Sequence, residues 1–428
     1  MVETIGRANC FTNTRLMGWG GFLRCPVGFS AHPCYNGKNN RLHSALHREE
    51  LSLMSILELV VNSRAGKRTL PDCCNEETFA AVRAFHRTLP GYAPTPLVPL
   101  PALAQTLGVK GIYLKDESKR FGLNAFKALG ASYAIHKLFG DHPQGRPLTV
   151  TATDGNHGKG MAWSTHLLGG HAVVFMPAGT VDSRVEAIRA IGDTEVTVTR
   201  ENYDGTVAIA AAYARAHGGH LVQDTAVPGF EEAPRDIVLG YSTMAAEALE
   251  QMAALGAGEP THTFLQSGVG SMAAGVAAYL AKTCKTPPAM AVVEAWESAC
   301  ALESIRQNRL VTIGGHTQTS MAGLNCGTPN PQIMPVLREW AEYYLRCQDE
   351  VTFRAMCRLA HPGPGETAVV SGESGAAGLG CLMALTERPD LAEARAAMGL
   401  DETSVVLLFS TEGDTDPGHY REVLAQGY

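Results

Sequence analysis

The chain has 428 residues, more than one hydrophobic core usually organises, so two domains with room for a cleft between them are expected. Its composition, 45% hydrophobic and 18% charged with 45 glycines, describes a globular protein rich in tight turns and excludes a disordered or fibrous one. A net charge of −7 gives no reason to expect nucleic acid as a partner, and no apolar run approaches the roughly 20 residues that span a bilayer.

Residues 1–50 are polar, contain Cys10, Cys25 and Cys34, and show no helical or strand period and no basic-then-apolar leader. A poorly ordered extension is expected there, with Met54 as an alternative start. The 11 cysteines form no paired Cys-x-x-Cys set, so free thiols in the cytoplasm are expected rather than a zinc site. No His-Glu-x-x-His helix or comparable spacing occurs either, and no catalytic metal is expected.

From residue 111 onward, short β-branched runs alternate with longer helical patterns. That alternation is the signature of an α/β fold whose parallel-rich sheets are flanked by helices. Strands are expected near Gly111–Lys115, Leu148–Thr153, Ala172–Met176, Glu195–Thr199, Leu221–Gln223, Thr263–Gln266, Ala291–Glu294 and Val405–Phe409. Residues 130–224 would form a small α/β domain, entered and left through Lys127 and Asp224. The large α/β domain would then be discontinuous, taking 60–129 and 225–428. Right-handed crossovers place ligands at the carboxyl ends of such strands, and the chemically suggestive residues fall there.

Lys127 follows a strand end and a turn, in Asn124-Ala125-Phe126-Lys127, and opens a helix; its amine could hold an aldehyde. Thr151-Ala152-Thr153-Asp154-Gly155-Asn156-His157-Gly158 joins a strand to a helix through glycines, so its amides and side chains converge on the strand end. Asn156 could donate to a phenolate oxygen. Asp154 could be a helix cap or could face a ligand, and His157 is accounted for by local packing. Asp224 ends an apolar strand before Pro228-Gly229; a turn role and a place beside Asp154 as a second base both fit. Ser267-Gly268-Val269-Gly270-Ser271-Met272 brings backbone amides to a helix N-terminus, where an anion binds. That loop lacks the third glycine of a dinucleotide fingerprint, although Glu294, 24 positions after Gly270, keeps a nucleotide reading open. Thr411 follows a strand, where its hydroxyl can meet a ring nitrogen, and Glu373 is a further loop carboxylate placed near it. A lysine for an aldehyde and a separate cradle for a phosphate are together what pyridoxal 5′-phosphate requires.

Taken in order, Asn124-Ala125-Phe126-Lys127, Gly155-Asn156-His157-Gly158, Gly268-Val269-Gly270-Ser271 and Ser410-Thr411-Glu412-Gly413 resemble the landmarks of the tryptophan-synthase-β-like, fold type II pyridoxal phosphate enzymes. The longer stretches Lys115 to Lys127, Ala152 to Gly158, Gln223 to Ala226 and Ser410 to Pro417 are more closely similar to the diaminopropionate ammonia-lyases, over roughly residues 85–425. The aspartate before Gly-Asn-His-Gly, where serine and threonine dehydratases commonly carry serine, gives the resemblance its specificity.

The resemblance implies a two-domain enzyme that works as a homodimer and degrades the amino acid 2,3-diaminopropionate to pyruvate and two ammonia molecules. It implies Lys127 as the aldehyde-holding lysine, with Asn156 at the phenolic oxygen and Gly268, Val269, Gly270 and Ser271 at the phosphate. Thr411 would contact the ring nitrogen, and Asp154 and Asp224 would be the acid–base pair. It also implies a disulfide between Cys300 and Cys326 at the cleft rim, where two reduced thiols are the alternative. A serine or threonine dehydratase of the same fold, a non-catalytic cofactor-binding protein and a nucleotide-dependent oxidoreductase are the competing functions.

Overall fold

The computed structural model describes residues 55–66, 68–315 and 317–428; the extension expected over 1–50 and the start at Met54 lie outside the described residues. The strands are β1 (Leu57–Val61), β2 (Leu97–Pro99), β3 (Gly111–Asp116), β4 (Leu148–Ala152), β5 (His171–Met176), β6 (Thr194–Val198), β7 (His220–Leu221), β8 (His262–Gln266), β9 (Ala289–Ala295), β10 (Tyr343–Cys347) and β11 (Val405–Ser410). Every strand expected from residue 111 onward is present. β7 is shorter than anticipated, although Val222 N still donates to Val150 O at 2.9 Å.

A seven-stranded sheet has the order β1-β10-β9-β8-β11-β3-β2. Its inner strands from β10 to β3 are all parallel, while β1 and β2 are antiparallel edges. β8 and β11 are buried along their whole length, as strands covered on both faces must be. Side chains alternate between the two faces: Leu407 and Phe409 enter one core, Val406 and Leu408 the other. The unanticipated β1, β2 and β10 are partly exposed and lie at or next to an edge, and β2 is three residues ending in a proline.

A four-stranded parallel sheet, β6-β5-β4-β7, is made entirely of residues between 148 and 221. Val150, Ala152, Val173 and Phe175 pack on one face against Val207, Ala210, Ala211 and Ala214 of helix Tyr203–His217. No helix among the described residues is long and apolar enough to cross a membrane.

Beneath the turn that leads from β3 to Lys127 lies a buried ionic cluster. Arg120 donates to both oxygens of Glu117 at 2.9 and 2.7 Å and to both oxygens of Glu247 at 2.9 and 2.8 Å. Lys115 Nζ stands 2.8 Å from Glu247 and donates to Thr95 O at 2.6 Å. The four ionic side chains are fully buried and their charges cancel, so each has the partners that make burial tolerable. This cluster fixes the 3-10 turn Glu117–Gly122, whose exit uses Phe121, Gly122 and Asn124 at positive φ.

Candidate active site

The chain leaving that turn is pinned to the end of β11. Phe126 N donates to Thr411 O at 3.1 Å, and Gly413 N to Asn124 O at 3.1 Å. Lys127 is thereby set at the start of helix Ala128–Phe139, with Nζ 2.6 Å from Asp224 Oδ2. Tyr203 OH donates to the other oxygen of Asp224 at 3.2 Å. Burial opposes the Lys127 ammonium, but the Asp224 carboxylate overrides it and raises the amine above its ordinary value. Burial likewise opposes the Asp224 carboxylate, yet Lys127, then His157 and the direct hydrogen bonds, hold it well below the usual carboxylate range.

Asp154 follows β4 and is not a helix cap. Thr153 Oγ1 does that work, accepting from Gly155 N at 2.9 Å and Gly158 N at 3.1 Å ahead of helix Asn156–Leu167. Burial pushes the Asp154 carboxyl up to about 7; Arg184 opposes the shift and Asp224 reinforces it. One cavity therefore holds two carboxylates whose proton affinities are driven in opposite directions, the arrangement that separates an acid from a base.

The glycine loop follows β8. Gly270 has φ +94° and precedes helix Ser271–Thr283. A Cβ on Gly268 would stand 2.7 Å from Gly323 O and 3.1 Å from Cys326 Sγ. Among the described residues, no acceptor takes the amides of Val269, Gly270 or Ser271. The Ser271 hydroxyl is already committed, donating to Asp224 O at 2.7 Å, so the loop offers an anion its backbone N–H groups.

Lys127, Asp154, Asn156, Asp224, Gly268, Val269, Gly270, Ser271 and Thr411 all line this single cavity. They arrive from the carboxyl ends of β3, β4, β7, β8 and β11, across both sheets. A lysine amine and a set of unpaired amides in one cavity are the two anchors pyridoxal phosphate needs, so the residues fit the group.

Some residues sit elsewhere than expected. Glu373 starts helix Glu373–Glu387 and does not line the cavity; it faces His419 at 3.6 Å, and burial together with Glu412 raises its carboxyl to about 7. Glu294, which kept a nucleotide reading open, is buried and accepts from Ala301 N at 2.8 Å and Leu302 N at 2.7 Å, capping helix Cys300–Gln307. Cys300 and Cys326 are free thiols rather than the disulfide the resemblance implies. Tyr203, Arg184, Gln266 and Glu412 also line the cavity, although the sequence reading assigns none of them a role there. His157 also lines the cavity; its Nε2 bonds Val222 O at 2.8 Å, and its buried Nδ1 has no partner among the described residues.

Comparison with known proteins identifies the family of the chain. The family model of the pyridoxal-phosphate dependent enzymes matches residues 88–410. Diaminopropionate ammonia-lyase of Escherichia coli is 44% identical over 362 residues, 81% of this chain and 90% of its own length. A crystal structure of the Escherichia coli enzyme in complex with an aminoacrylate-PLP azomethine reaction intermediate superposes with a TM-score of 0.82 at 41% identity, covering 87% of this chain and 97% of that chain. The biosynthetic L-threonine dehydratase of Escherichia coli is 32% identical over only 206 residues, 48% of this chain and 37% of that enzyme. Pyridoxal 5′-phosphate is thus the cofactor, and the chain belongs to the fold type II pyridoxal-phosphate-dependent enzymes and, among them, to the diaminopropionate ammonia-lyase family.

Proposed function

We propose that the chain converts 2,3-diaminopropionate and one water to pyruvate and two ammonia molecules by α,β-elimination. The observation that carries this reading is the pair Asp154 and Asp224, oppositely tuned and lining the same cavity as the Lys127 amine. Pyridoxal phosphate, when bound, supplies an electron sink that makes the substrate's Cα–H acidic. Lys127 Nζ would hold its aldehyde carbon, the amides from Gly268 to Ser271 its phosphate, Asn156 its phenolic oxygen and Thr411 its ring nitrogen.

Asp154 and Asp224 between them take up the Cα proton on a carboxylate oxygen and neutralise the substrate's β-ammonium. Tyr203 keeps Asp224 oriented through its hydrogen bond to Oδ1. A serine hydroxyl in place of the ammonium would leave a buried carboxylate without a cationic partner, which makes serine the inferior substrate. On the same reading the two sheets mark two domains, 130–224 and 60–129 with 225–428, and the enzyme is a cytoplasmic homodimer; sedimentation of the holoenzyme tests the dimer.

The deciding experiment follows pyruvate and 2-oxobutyrate from each enantiomer of diaminopropionate, from serine and from threonine. Diaminopropionate is expected to lead by at least about tenfold in kcat/KM. Faster turnover of serine or threonine overturns the assignment in favour of a dehydratase.

A further inference from the structure

Gln266 ends β8 immediately before the glycine loop, is 3% exposed and lines the cavity. Its Nε2 stands 2.7 Å from Phe409 O, 3.1 Å from both Ser374 O and Gly375 O, and 3.5 Å from Thr411 Oγ1. Turning the amide over would set Oε1 against three carbonyl oxygens, so its surroundings fix the orientation. Oε1 is left buried with no donor among the described residues. Thr411 makes no other side-chain hydrogen bond among the described residues. Its oxygen is thus the outermost of four acceptors around that NH2 group, facing its N–H side, and no side-chain hydrogen bond among the described residues takes its proton.

We propose that Gln266 is a positioning residue that turns the Thr411 hydroxyl proton into the cavity, so that Thr411 donates to the cofactor's ring nitrogen and that nitrogen stays unprotonated. The inference rests on Thr411 being the partner of the ring nitrogen. With Oε1 toward Thr411, the hydroxyl would donate backwards and offer only lone pairs, which suit a protonated nitrogen. Without Gln266 no N–H group stands near the Thr411 oxygen, so the hydroxyl is free to rotate and can offer its lone pairs to a protonated nitrogen.

The test loads the enzyme with pyridoxal phosphate labelled with nitrogen-15 in the ring and follows the nitrogen chemical shift against pH in the unsubstituted protein, Thr411→Val and Gln266→Leu. The unsubstituted protein is expected to show an unprotonated nitrogen at neutral pH, and Gln266→Leu about a tenfold larger protonated fraction at a given pH. A shift that Thr411→Val leaves unmoved means that the nitrogen is not on Thr411, and the underlying reading falls. A shift moved by Thr411→Val but not by Gln266→Leu overturns the role of Gln266 alone. Should Gln266→Leu fail to fold, Gln266→Met takes its place in the same measurement. A protonated nitrogen in the unsubstituted holoenzyme refutes the proposal before any substitution is made.

Discussion

Lys127 and Asp224 are 97 residues apart in sequence, yet Nζ and Oδ2 lie 2.6 Å apart, with 18% and 6% of the two side chains exposed. Breaking such a pair leaves a charge in a site built for two. Asp224 titrates below, and Lys127 above, its unfolded counterpart. The pair therefore stabilises the fold between about pH 4 and about pH 10; the contribution fades in acid as Asp224 is protonated and in base as Lys127 loses its proton. In cofactor-free protein, Asp224→Asn is expected to cost about 3 kcal/mol at neutral pH. The cost should shrink steadily as the pH falls below about 4, because Asp224 of the unfolded chain takes up its proton first. Urea unfolding across pH measures this, and a gap that does not change with pH contradicts the assignment.

Asp154 gives the opposite stability effect. Its carboxyl is raised to about 7, chiefly by burial, so holding it ionised in the folded protein is unfavourable. That cost is absent below about pH 4, where both states are protonated, grows through the interval up to the folded value and is constant above it. Asp154→Asn should therefore melt higher than the unsubstituted cofactor-free protein at alkaline pH and alike in acid. The same substitution should lower kcat by the 10²–10⁴-fold, in order of magnitude, that a general base contributes. A variant that is neither more stable at alkaline pH nor slower in turnover would remove Asp154 from the acid–base pair.

The residues that line the candidate site were legible because many of them stand at the ends of strands. Lys127, Asp154, Thr411 and the glycine loop each follow an apolar run directly or after a short turn, and a parallel sheet gathers such positions along one edge. Tyr203 was not legible: it opens a helix after a separate cap, Asn202, and only the three-dimensional path carries its hydroxyl to Asp224. Gln266 left a fainter trace, as a polar residue closing an apolar strand just before the loop. Lys115, Glu117 and Arg120 were visible as a motif but not as a buried cluster, because the acid they share, Glu247, lies 127 residues beyond Arg120. The capping role open to Asp154 went to Thr153, whose hydroxyl serves two amides at once. Residue type alone does not decide between those neighbours.

Arg120 is the keystone of the buried cluster. Burial would lower the guanidinium's pKa, but Glu117 and Glu247 hold it raised, while Arg120 and Lys115 bring Glu247 down to about 2 against burial. Arg120→Met leaves two buried carboxylates sharing only Lys115, and a loss of about 3–5 kcal/mol in unfolding free energy is expected. The damage should reach the site, because the turn that carries Lys127 is built on this cluster. Denaturant unfolding gives the first quantity and cofactor titration the second. Unchanged stability would show that the cluster is not what holds the turn.

Gly268 tests the cradle without touching any charge. A methyl group there would meet the Gly323 carbonyl oxygen at 2.7 Å, and backbone cannot move aside as a flexible side chain can. The loop must shift instead, carrying the amides of Val269 and Gly270 off their line to the phosphate. Gly268→Ala is expected to weaken pyridoxal phosphate binding by about 10- to 100-fold, or about 1.4–2.8 kcal/mol, and to lower stability by about 1–3 kcal/mol from overpacking. Gly314, around which an added methyl meets nothing within 4 Å, provides the control, and Gly314→Ala should bind the cofactor as the unsubstituted protein does. Fluorescence titration of cofactor-free protein with pyridoxal phosphate compares the two. Equal affinity in both variants would mean that the phosphate is held somewhere other than the loop after β8.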